Sequence, residues 1–276
     1  MRARFPPSAY GPSVIWWHAV LIALAGVWAG TINTVVGSGT LVTFPVLVAF
    51  GYSPVTATTS NAIGLAPGTI SGAIGYRHEL RGEFRRLLAF VPASMLGAVC
   101  GTILLLSLPP DAFERVVPVL VGLAVVLVII QPKVSRWVLA RRAVKVEANG
   151  GKEGSGRSTQ VLLITAVFVI GIYGGYFTAA QGVMLMAVMG MLLNESIQRL
   201  NGIKNVLAAV VNVVAGTVYA FVAPVSWPVV ALLAGGSVVG GYLGARIGRK
   251  LSPTVLRGVI VVVGVAAIIQ LVLRQL

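Results

Sequence analysis

The sequence predicts an all-α polytopic membrane protein built from two inverted repeats. Three observations lead there: few charges, uncharged stretches of membrane-spanning length, and a repeated small-residue motif. Of 276 residues, 57% are hydrophobic and 10% charged, and the mean hydropathy is +0.93. Soluble domains carry about 25% charged residues. The uncharged stretches 5–76, 158–194 and 205–245 each exceed the roughly 20 residues that cross a bilayer as a helix.

Ten apolar segments separated by turn signals predict ten helices. Gly37-Ser38-Gly39 ends the first, Gly51 to Pro54 the second, a basic stretch the third, and Leu108 to Asp111 the fourth, and similar breaks follow in the second half. Segments 41–50 and 183–193 are too short to span and predict broken or re-entrant helices. The predicted helices are 14–33, 41–50, 54–75, 86–107, 113–131, 160–178, 183–193, 196–222, 227–246 and 254–273.

An internal repeat divides these helices into two halves. The motif S-x-x-G-x-x-x-G begins at Ser94 and again at Ser237, 143 positions later. The same offset aligns Gly39 with Gly182 and Pro110 with Pro253, and one extra residue aligns Asn61 with Asn205 and Gly72 with Gly216. We therefore predict an N-terminal tail (1–12), a first repeat (13–131), a basic cytoplasmic linker (132–159, Gly/Ser-rich over 147–158) and a second repeat (160–276).

The basic residues predict the orientation. Fifteen of the 21 Lys and Arg residues lie in the loop 77–86, in the linker, or around 246–257, which the positive-inside rule places in the cytoplasm. The loops 50–54, 108–112 and 222–227 have none and are predicted to be external. Each repeat then crosses an odd number of times, so the two repeats are inverted. Secondary transporters of the cytoplasmic membrane commonly have this architecture, with broken helices at the site.

Composition excludes other classes of function. The net charge of +14 does not indicate nucleic acid binding, because the basic residues lie between long apolar runs. Cys100 is the only cysteine, and His18 and His78 lie far apart, so neither a disulfide nor a metal site is expected. All seven carboxylates lie in or beside predicted loops, which leaves no catalytic set. We expect no enzyme activity and no cofactor.

Several motifs resemble the TauE/SafE family of sulfite and organosulfonate exporters. They are Gly30 to Thr40 followed by Phe44 to Leu47, then Ala57 to Asn61, Tyr173 to Phe177 with Gln181-Gly182, and Asn201 to Asn205. The resemblance covers about residues 20–273 and implies export of sulfur-containing anions. In the second half, Ala179-Ala180-Gln181-Gly182 replaces the glycine-rich break, so strict two-fold symmetry of the site is not expected.

The residues themselves also favour an anion site. Gly37-Ser38-Gly39 opens a short helix, whose free N–H groups and positive dipole end suit an anion. Small residues here could instead serve helix packing, but buried amides among apolar side chains are costly. We expect Gly39→Leu to abolish transport in a folded protein. The predicted substrate-binding residues are Asn33, Thr34, Gly37, Ser38, Gly39, Thr40, Thr58, Thr59, Ser60, Asn61, Gln181, Gly182, Asn201, Lys204, Asn205 and Asn212.

Lys204 is the only charged residue between Arg199 and Arg246, and it lies at predicted membrane depth. An intramembrane ionisable residue is a functional hypothesis by default. Either its ammonium binds the substrate anion, or its long side chain snorkels to the cytoplasmic interface.

The sequence thus predicts a secondary transporter that exports sulfite or small organosulfonates, such as sulfoacetate, by alternating access. Its partners would be this small anion and the lipid bilayer. Two alternatives stay open: transport of another small organic anion, and a membrane subunit of a sulfur-metabolising complex. Whether the protein forms a homodimer, which anion it moves, and whether protons are coupled also stay open.

Overall fold

The computed structural model describes residues 12, 14–148, 157–247 and 253–275, and the regular structure within them is entirely helical. Six of the helices there are long and apolar enough to cross a membrane, which confirms the all-α polytopic membrane fold. The helices are α1 (Trp16–Val35), α2 (Thr40–Ala49), α3 (Pro54–Gly75), α4 (Phe84–Ser107), α5 (Pro110–Ala148), α6 (Arg157–Tyr176), α7 (Gln181–Leu192), α8 (Ile197–Val222), α9 (Trp227–Ile247) and α10 (Pro253–Gln275).

The outer surface of the bundle is apolar. Trp16 and Phe221 are each 79% exposed and Val262 is 70% exposed. A water-soluble protein rarely exposes so many large apolar side chains. The interior, by contrast, holds many Ser, Thr and Asn side chains. This inside-out distribution of polarity fits a protein surrounded by lipid.

The described helices correspond one for one to the ten predicted segments, with one large difference. α5 does not end near residue 131 but continues to Ala148, across the residues predicted to begin the linker. Pro132 lies inside the helix, and the following Arg, Lys, Ala and Leu residues are good helix formers that sustain it. The predicted tail 1–12, apart from Pro12, and the centre of the linker, 149–156, lie outside the described residues.

Close glycine contacts join the two halves. α4 packs on α6, and α9 packs on α1. A Cβ atom on Gly97 would overlap the carbonyl oxygen of Phe168, and one on Gly240 would overlap that of Val27. Small residues allow such close backbone approach between membrane helices. The motifs detected in the sequence are therefore the contact surfaces of α4 and α9.

These contacts correct the predicted alignment of the halves. Gly97 and Gly240 are 143 positions apart, but their partners Phe168 and Val27 are 141 apart. α7 has 12 residues and α2 has 10, so the difference of two arises within the short helices. Before the short helices the offset is 141, which makes Ala180, not Gly182, the equivalent of Gly39.

After the short helices the offset is 143. Ser53 and Ser196 are both N-cap residues, and the hydroxyl of each accepts the backbone N–H three residues on, from α3 and α8 respectively. This register makes Lys204, not Asn205, the equivalent of Asn61. Matching by residue identity pairs the two asparagines because it does not detect that α7 is longer than α2.

Candidate functional site

The two short helices meet at their N-terminal ends. The backbone N–H of Gly182, in the first turn of α7, donates to the carbonyl of Gly37 at 3.0 Å. A Cβ on either glycine would lie 2.5 Å from the Cα of the other, and Gly37 has a φ of +94°. The contact and the turn thus both require glycine at position 37. Two helix N-termini, each the partial positive end of its helix dipole, are brought side by side.

Buried polar groups without partners surround this junction. Ser38 is 1% exposed and Gln181 is 2% exposed. The Ser38 hydroxyl and both polar atoms of the Gln181 amide have no hydrogen-bond partner within the described structure. Ser38 lies two residues before the start of α2 and Gln181 is the first residue of α7, so each is a chain neighbour of Gly37 or Gly182. Since a buried unsatisfied polar group costs about 1–3 kcal/mol, these atoms are candidates for binding a polar ligand.

A second pair of unsatisfied groups lies at equivalent places in α3 and α8. The Thr58 hydroxyl and the Asn201 side-chain oxygen are buried without a partner in the part of the chain described. They are 143 positions apart, the offset that relates α3 to α8. Buried hydrogen-bonding groups without a partner therefore occur in both halves, on the long helices that follow the two short ones.

Lys204 is completely buried, with 0% exposure. Its ammonium donates to the carbonyl oxygens of Asn33 at 3.1 Å and Thr34 at 2.9 Å, in the last turn of α1. The amide of Asn205 donates to the same Thr34 oxygen at 3.3 Å. A cation is stabilised at a helix C-terminus by the unpaired carbonyls and the negative dipole end. The side chain does not snorkel, so this alternative is wrong for the described conformation.

Asn61, the equivalent of Lys204, makes its side-chain hydrogen bonds within the first half. Its amide nitrogen donates to the Thr40 hydroxyl at 3.0 Å, and its oxygen accepts the hydroxyl of Thr43. Asn61 therefore holds the first turn of α2 against α3. The predicted residues Asn61 and Thr40 lie together near the junction, where each is the other's partner.

Other predicted residues have structural partners. The Thr59 hydroxyl donates to the Pro224 carbonyl at 2.6 Å, and the Ser60 hydroxyl accepts the Ser226 N–H at 2.9 Å. These bonds hold the loop between α8 and α9 over the first turns of α3. The loop is correspondingly buried at Pro224 and at Ser226.

Three predicted residues do not join the set of unsatisfied groups at the junction. The Thr34 hydroxyl donates to Gly30 within α1, although its carbonyl binds Lys204. Asn33 is half-buried and contributes its carbonyl. Asn212 lies about 12 Å beyond Lys204 along α8; its amide nitrogen donates to the Ala208 carbonyl, while its side-chain oxygen is buried without a partner in the described structure.

Gly39 is a packing glycine. A Cβ there would overlap the carbonyl oxygen of Ala29 and lie 3.1 Å from the Cβ of Asn33. Even alanine would force α1 and α2 apart. A leucine at position 39 would therefore meet the α1 backbone rather than open space, so loss of transport in Gly39→Leu would not separate anion binding from helix packing.

Sequence reasoning missed an ion-pair cluster. Arg86 contacts Glu83 at 2.9 Å and also pairs with Glu195, while Arg199 contacts Glu195 at 2.6 Å and Glu83 at 3.6 Å. The cluster ties the start of α4 to the start of α8. Burial raises the pKa of Glu195, but the bonds and charges of Arg86 and Arg199 outweigh burial and lower that pKa below its ordinary value. No local motif signals pairs more than 100 residues apart.

Tyr173 was also missed as a candidate. Its hydroxyl is buried without a partner in the described structure. It lies in α6, one residue before Gly174, whose open side is filled by the Gln181 amide. In the sequence, the motif Tyr173-Gly174-Gly175 contributes only to the family resemblance. The tyrosine hydroxyl beside two glycines is the signal that could have indicated a polar site.

Comparison with known proteins identifies the family. The family model described as "Sulfite exporter TauE/SafE" matches residues 22–271. The chain belongs to the TauE/SafE family. Among its relatives, the "Probable membrane transporter protein ORF9" of a Sinorhizobium species is 24% identical over 244 residues, 88% of each chain. The "Probable membrane transporter protein" of Haemophilus influenzae is 21% identical over 257 residues, 92% of this chain and 94% of the relative.

A third relative agrees. The "Probable membrane transporter protein YfcA" of Escherichia coli K12 is 23% identical over 223 residues, 81% of this chain and 76% of the relative. No solved structure matches the chain. With six candidate spans in the described residues, this TauE/SafE protein is a multi-pass membrane transporter.

Proposed function

We propose that this TauE/SafE transporter exports sulfite or small organosulfonates, such as sulfoacetate, across the cytoplasmic membrane by alternating access. The observation that carries the proposal is the junction at Gly37 and Gly182. Two helix N-termini meet there beside the unsatisfied groups of Ser38 and Gln181. An oxyanion requires hydrogen-bonding groups of this kind. A contact that serves helix packing alone does not require them.

The chemistry of the substrate fits these donors. A sulfite or sulfonate group presents three oxygen acceptors on one sulfur, so it needs several donors from different directions. Helix N-termini supply N–H groups, and Ser38 and Gln181 supply a hydroxyl and an amide. A carboxylate presents two acceptors in one plane. The number and spread of donors therefore favour sulfur oxyanions over carboxylates.

Lys204 supplies the balancing charge. On insertion scales a lysine at the membrane centre costs about 2.5–3.5 kcal/mol, and the hydrogen-bond partners of this ammonium are neutral carbonyls. A bound monoanion would neutralise it without removing those bonds. We infer that the anion binds within electrostatic range of Lys204 rather than replacing the α1 carbonyls as its partner.

Alternating access is supported by the equivalent contacts of the two halves, which fit inverted repeats over 13–131 and 160–276. In this conformation Ser38, Gln181 and Lys204 are all buried. The loop around Pro224 covers α3, while Leu80 lies against Gly202 at the start of α8. The distribution of Lys and Arg supports an external position for the first cover and a cytoplasmic position for the second.

The membrane potential supports export. An inside-negative potential contributes about 2.3 kcal/mol per charge per 100 mV to outward movement of an anion. Whether protons are coupled and whether two chains assemble as a homodimer are separate parts of the hypothesis, which flux stoichiometry and cross-linking in membranes would test.

Transport by the purified protein in liposomes tests the function. Sulfite, sulfoacetate, taurine, sulfate and carboxylate analogues are compared as substrates. We expect sulfite or a sulfonate to move fastest and Lys204→Gln to weaken its binding strongly. Preference for a carboxylate would favour another organic anion as substrate, and movement of no anion at all would favour a subunit of a larger complex.

Cysteine labelling in intact cells tests the sidedness. Cys100 is first replaced, and single cysteines are then introduced as Gly151→Cys in the linker and Ala223→Cys in the loop before α9. An impermeant reagent should label position 223 and not position 151. The reverse pattern would contradict the inverted-repeat topology.

A further inference from the structure

We propose that the Lys204 ammonium occupies a built-in cation site at the C-terminal end of α1, so that this transporter moves its anion without sodium. The inference rests on the proposed function for the identity of the cargo. It is carried by geometry: a completely buried ammonium donates to two carbonyls of one helix end, at 2.9 and 3.1 Å.

The end of α1 is built to bind a cation. The carbonyl of Ile32 accepts two backbone N–H groups, from Val36 and Gly37, as the chain turns out of the helix. The next two carbonyls, of Asn33 and Thr34, instead accept donors from α8. In transporters with broken helices, such carbonyls at a helix end coordinate sodium or a proton. Here a compact ammonium on a flexible stem takes that position.

The site is single although the fold is duplicated. Asn61, the equivalent of Lys204 in the first half, is neutral and binds Thr40 and Thr43 within its own half. Lys204 reaches instead across to α1 of the other half. One fixed positive charge therefore stands beside one anion-binding junction.

The cation and anion sites are adjacent in the chain. Thr34 lies three residues before Gly37, whose carbonyl meets α7 at the junction. A charge held at the end of α1 therefore acts on an anion at the starts of α2 and α7. Because Lys204 is tethered to α8 and completely buried in this conformation, its ammonium is held at the end of α1, and no dissolved sodium ion is needed in its place.

Chemical rescue tests the proposal. Wild-type protein and Lys204→Ala are purified and placed in liposomes, and sulfite or sulfoacetate uptake is measured in N-methylglucamine, sodium, ammonium and methylammonium buffers. Wild-type uptake should be equal in all four. Uptake by Lys204→Ala should fall about tenfold or more in N-methylglucamine, which corresponds to tenfold weaker binding of the anion. This uptake should recover in part with ammonium, methylammonium or sodium. Lys133→Ala, at an exposed position of α5, is the control and should behave like wild type.

A second readout does not depend on transport. The thermal unfolding temperature of Lys204→Ala, measured without any anion, should rise with ammonium or sodium relative to N-methylglucamine, and that of wild type should not. If Lys204→Ala cannot be purified, Lys204→Gln takes its place in both assays. A failure of wild type to move any anion would contradict the proposed function, while the unfolding measurement would still test the cation site.

Three results would overturn the cation site. One is wild-type uptake that requires sodium. Another is full uptake by the folded Lys204 variant in N-methylglucamine. The third is a folded variant whose unfolding temperature and uptake respond to none of the small cations.

Discussion

The breaks between α1 and α2 and between α6 and α7 solve the same backbone problem with different residues. At the first, the left-handed position is taken by Gly37, with a φ of +94°. At the second, Thr178 and Ala180 have φ values of +64° and +57°. A non-glycine residue in this region costs roughly 1–2 kcal/mol. The second break therefore carries backbone strain that the first avoids.

Under the proposed inverted-repeat architecture, this difference makes the proposed site asymmetric. The first half contributes mostly main-chain groups: the glycine turn, and the α1 carbonyls that hold Lys204. The second half contributes the polar side chains of Gln181 and Lys204. Strained residues persist where the surroundings over-determine them, often at functional sites. The strained turn leads directly into Gln181, whose amide fills the space beside Gly174.

The substitution with the largest expected effect disrupts the contact between the two breaks. Gly37→Ala places a Cβ 2.5 Å from the Cα of Gly182 and forces alanine to a φ of +94°. We expect a loss of about 2–5 kcal/mol of stability from overpacking and strain together. Thermal unfolding in detergent measures it.

Gly235→Ala is the matched control for that substitution. Gly235 lies in α9, where a Cβ atom would have nothing within 4 Å, and alanine is the better helix former by about 1 kcal/mol. The control should be neutral or stabilising. Equal unfolding temperatures for Gly37→Ala and wild type would show that the two breaks do not touch as described.

The connections after the short helices also differ. Between α2 and α3, Tyr52 is a buried aromatic residue, whereas its equivalent between α7 and α8 is Glu195, held by Arg86 and Arg199. We expect Glu195→Gln to cost about 1–2 kcal/mol at pH 7, between the values for exposed and buried ion pairs. Unfolding across a pH series measures it.

The pH dependence gives that prediction a sign. The pKa of Glu195 is lowered in the folded protein, so its stabilising effect is full above the unfolded pKa of about 4.3 and is lost as pH falls through the folded value. Wild type and Glu195→Gln should therefore differ at pH 7 and converge only as the pH falls below the lowered folded pKa of Glu195. A constant difference across the series would mean that the carboxylate charge is not what stabilises the connection.

The sequence predicts the frame of this fold better than its site. Helix starts are encoded locally: Ser53 before Pro54 is a cap that a reader can recognise. The turn at Thr178 and Ala180 is not, because neither residue is typical of a left-handed turn, and tertiary contacts impose it. The depth of Lys204 could be predicted from spacing, but its carbonyl partners on α1, 170 and 171 residues away, could not.

A substitution with a smaller expected effect tests whether the polar groups at the junction bind the anion or serve only helix packing. Ser38→Ala removes a buried hydroxyl that has no partner in the described structure, so the empty protein should gain up to about 1 kcal/mol. If the hydroxyl binds the anion, the same variant should bind sulfite or sulfoacetate several-fold more weakly, at roughly 1 kcal/mol per lost hydrogen bond. Unfolding with and without the anion measures both. A gain in stability with unchanged binding would remove Ser38 from the site.

The variant with the smallest expected effect, Ala180→Gly, measures the strain of the second break itself. Ala179 and Ala180 are adjacent and both 0% exposed, but of the two only Ala180 has a positive φ. Replacing either by glycine loses a buried methyl and adds backbone freedom to the unfolded chain, which together cost about 1–2 kcal/mol. At position 180 the relief of left-handed strain, roughly 1–2 kcal/mol, offsets that cost. We therefore expect Ala179→Gly to destabilise the protein and Ala180→Gly to be close to neutral in thermal unfolding. Equal losses for the two variants would mean that the second break is no more strained than the first, and that the asymmetry between the halves lies in their side chains alone.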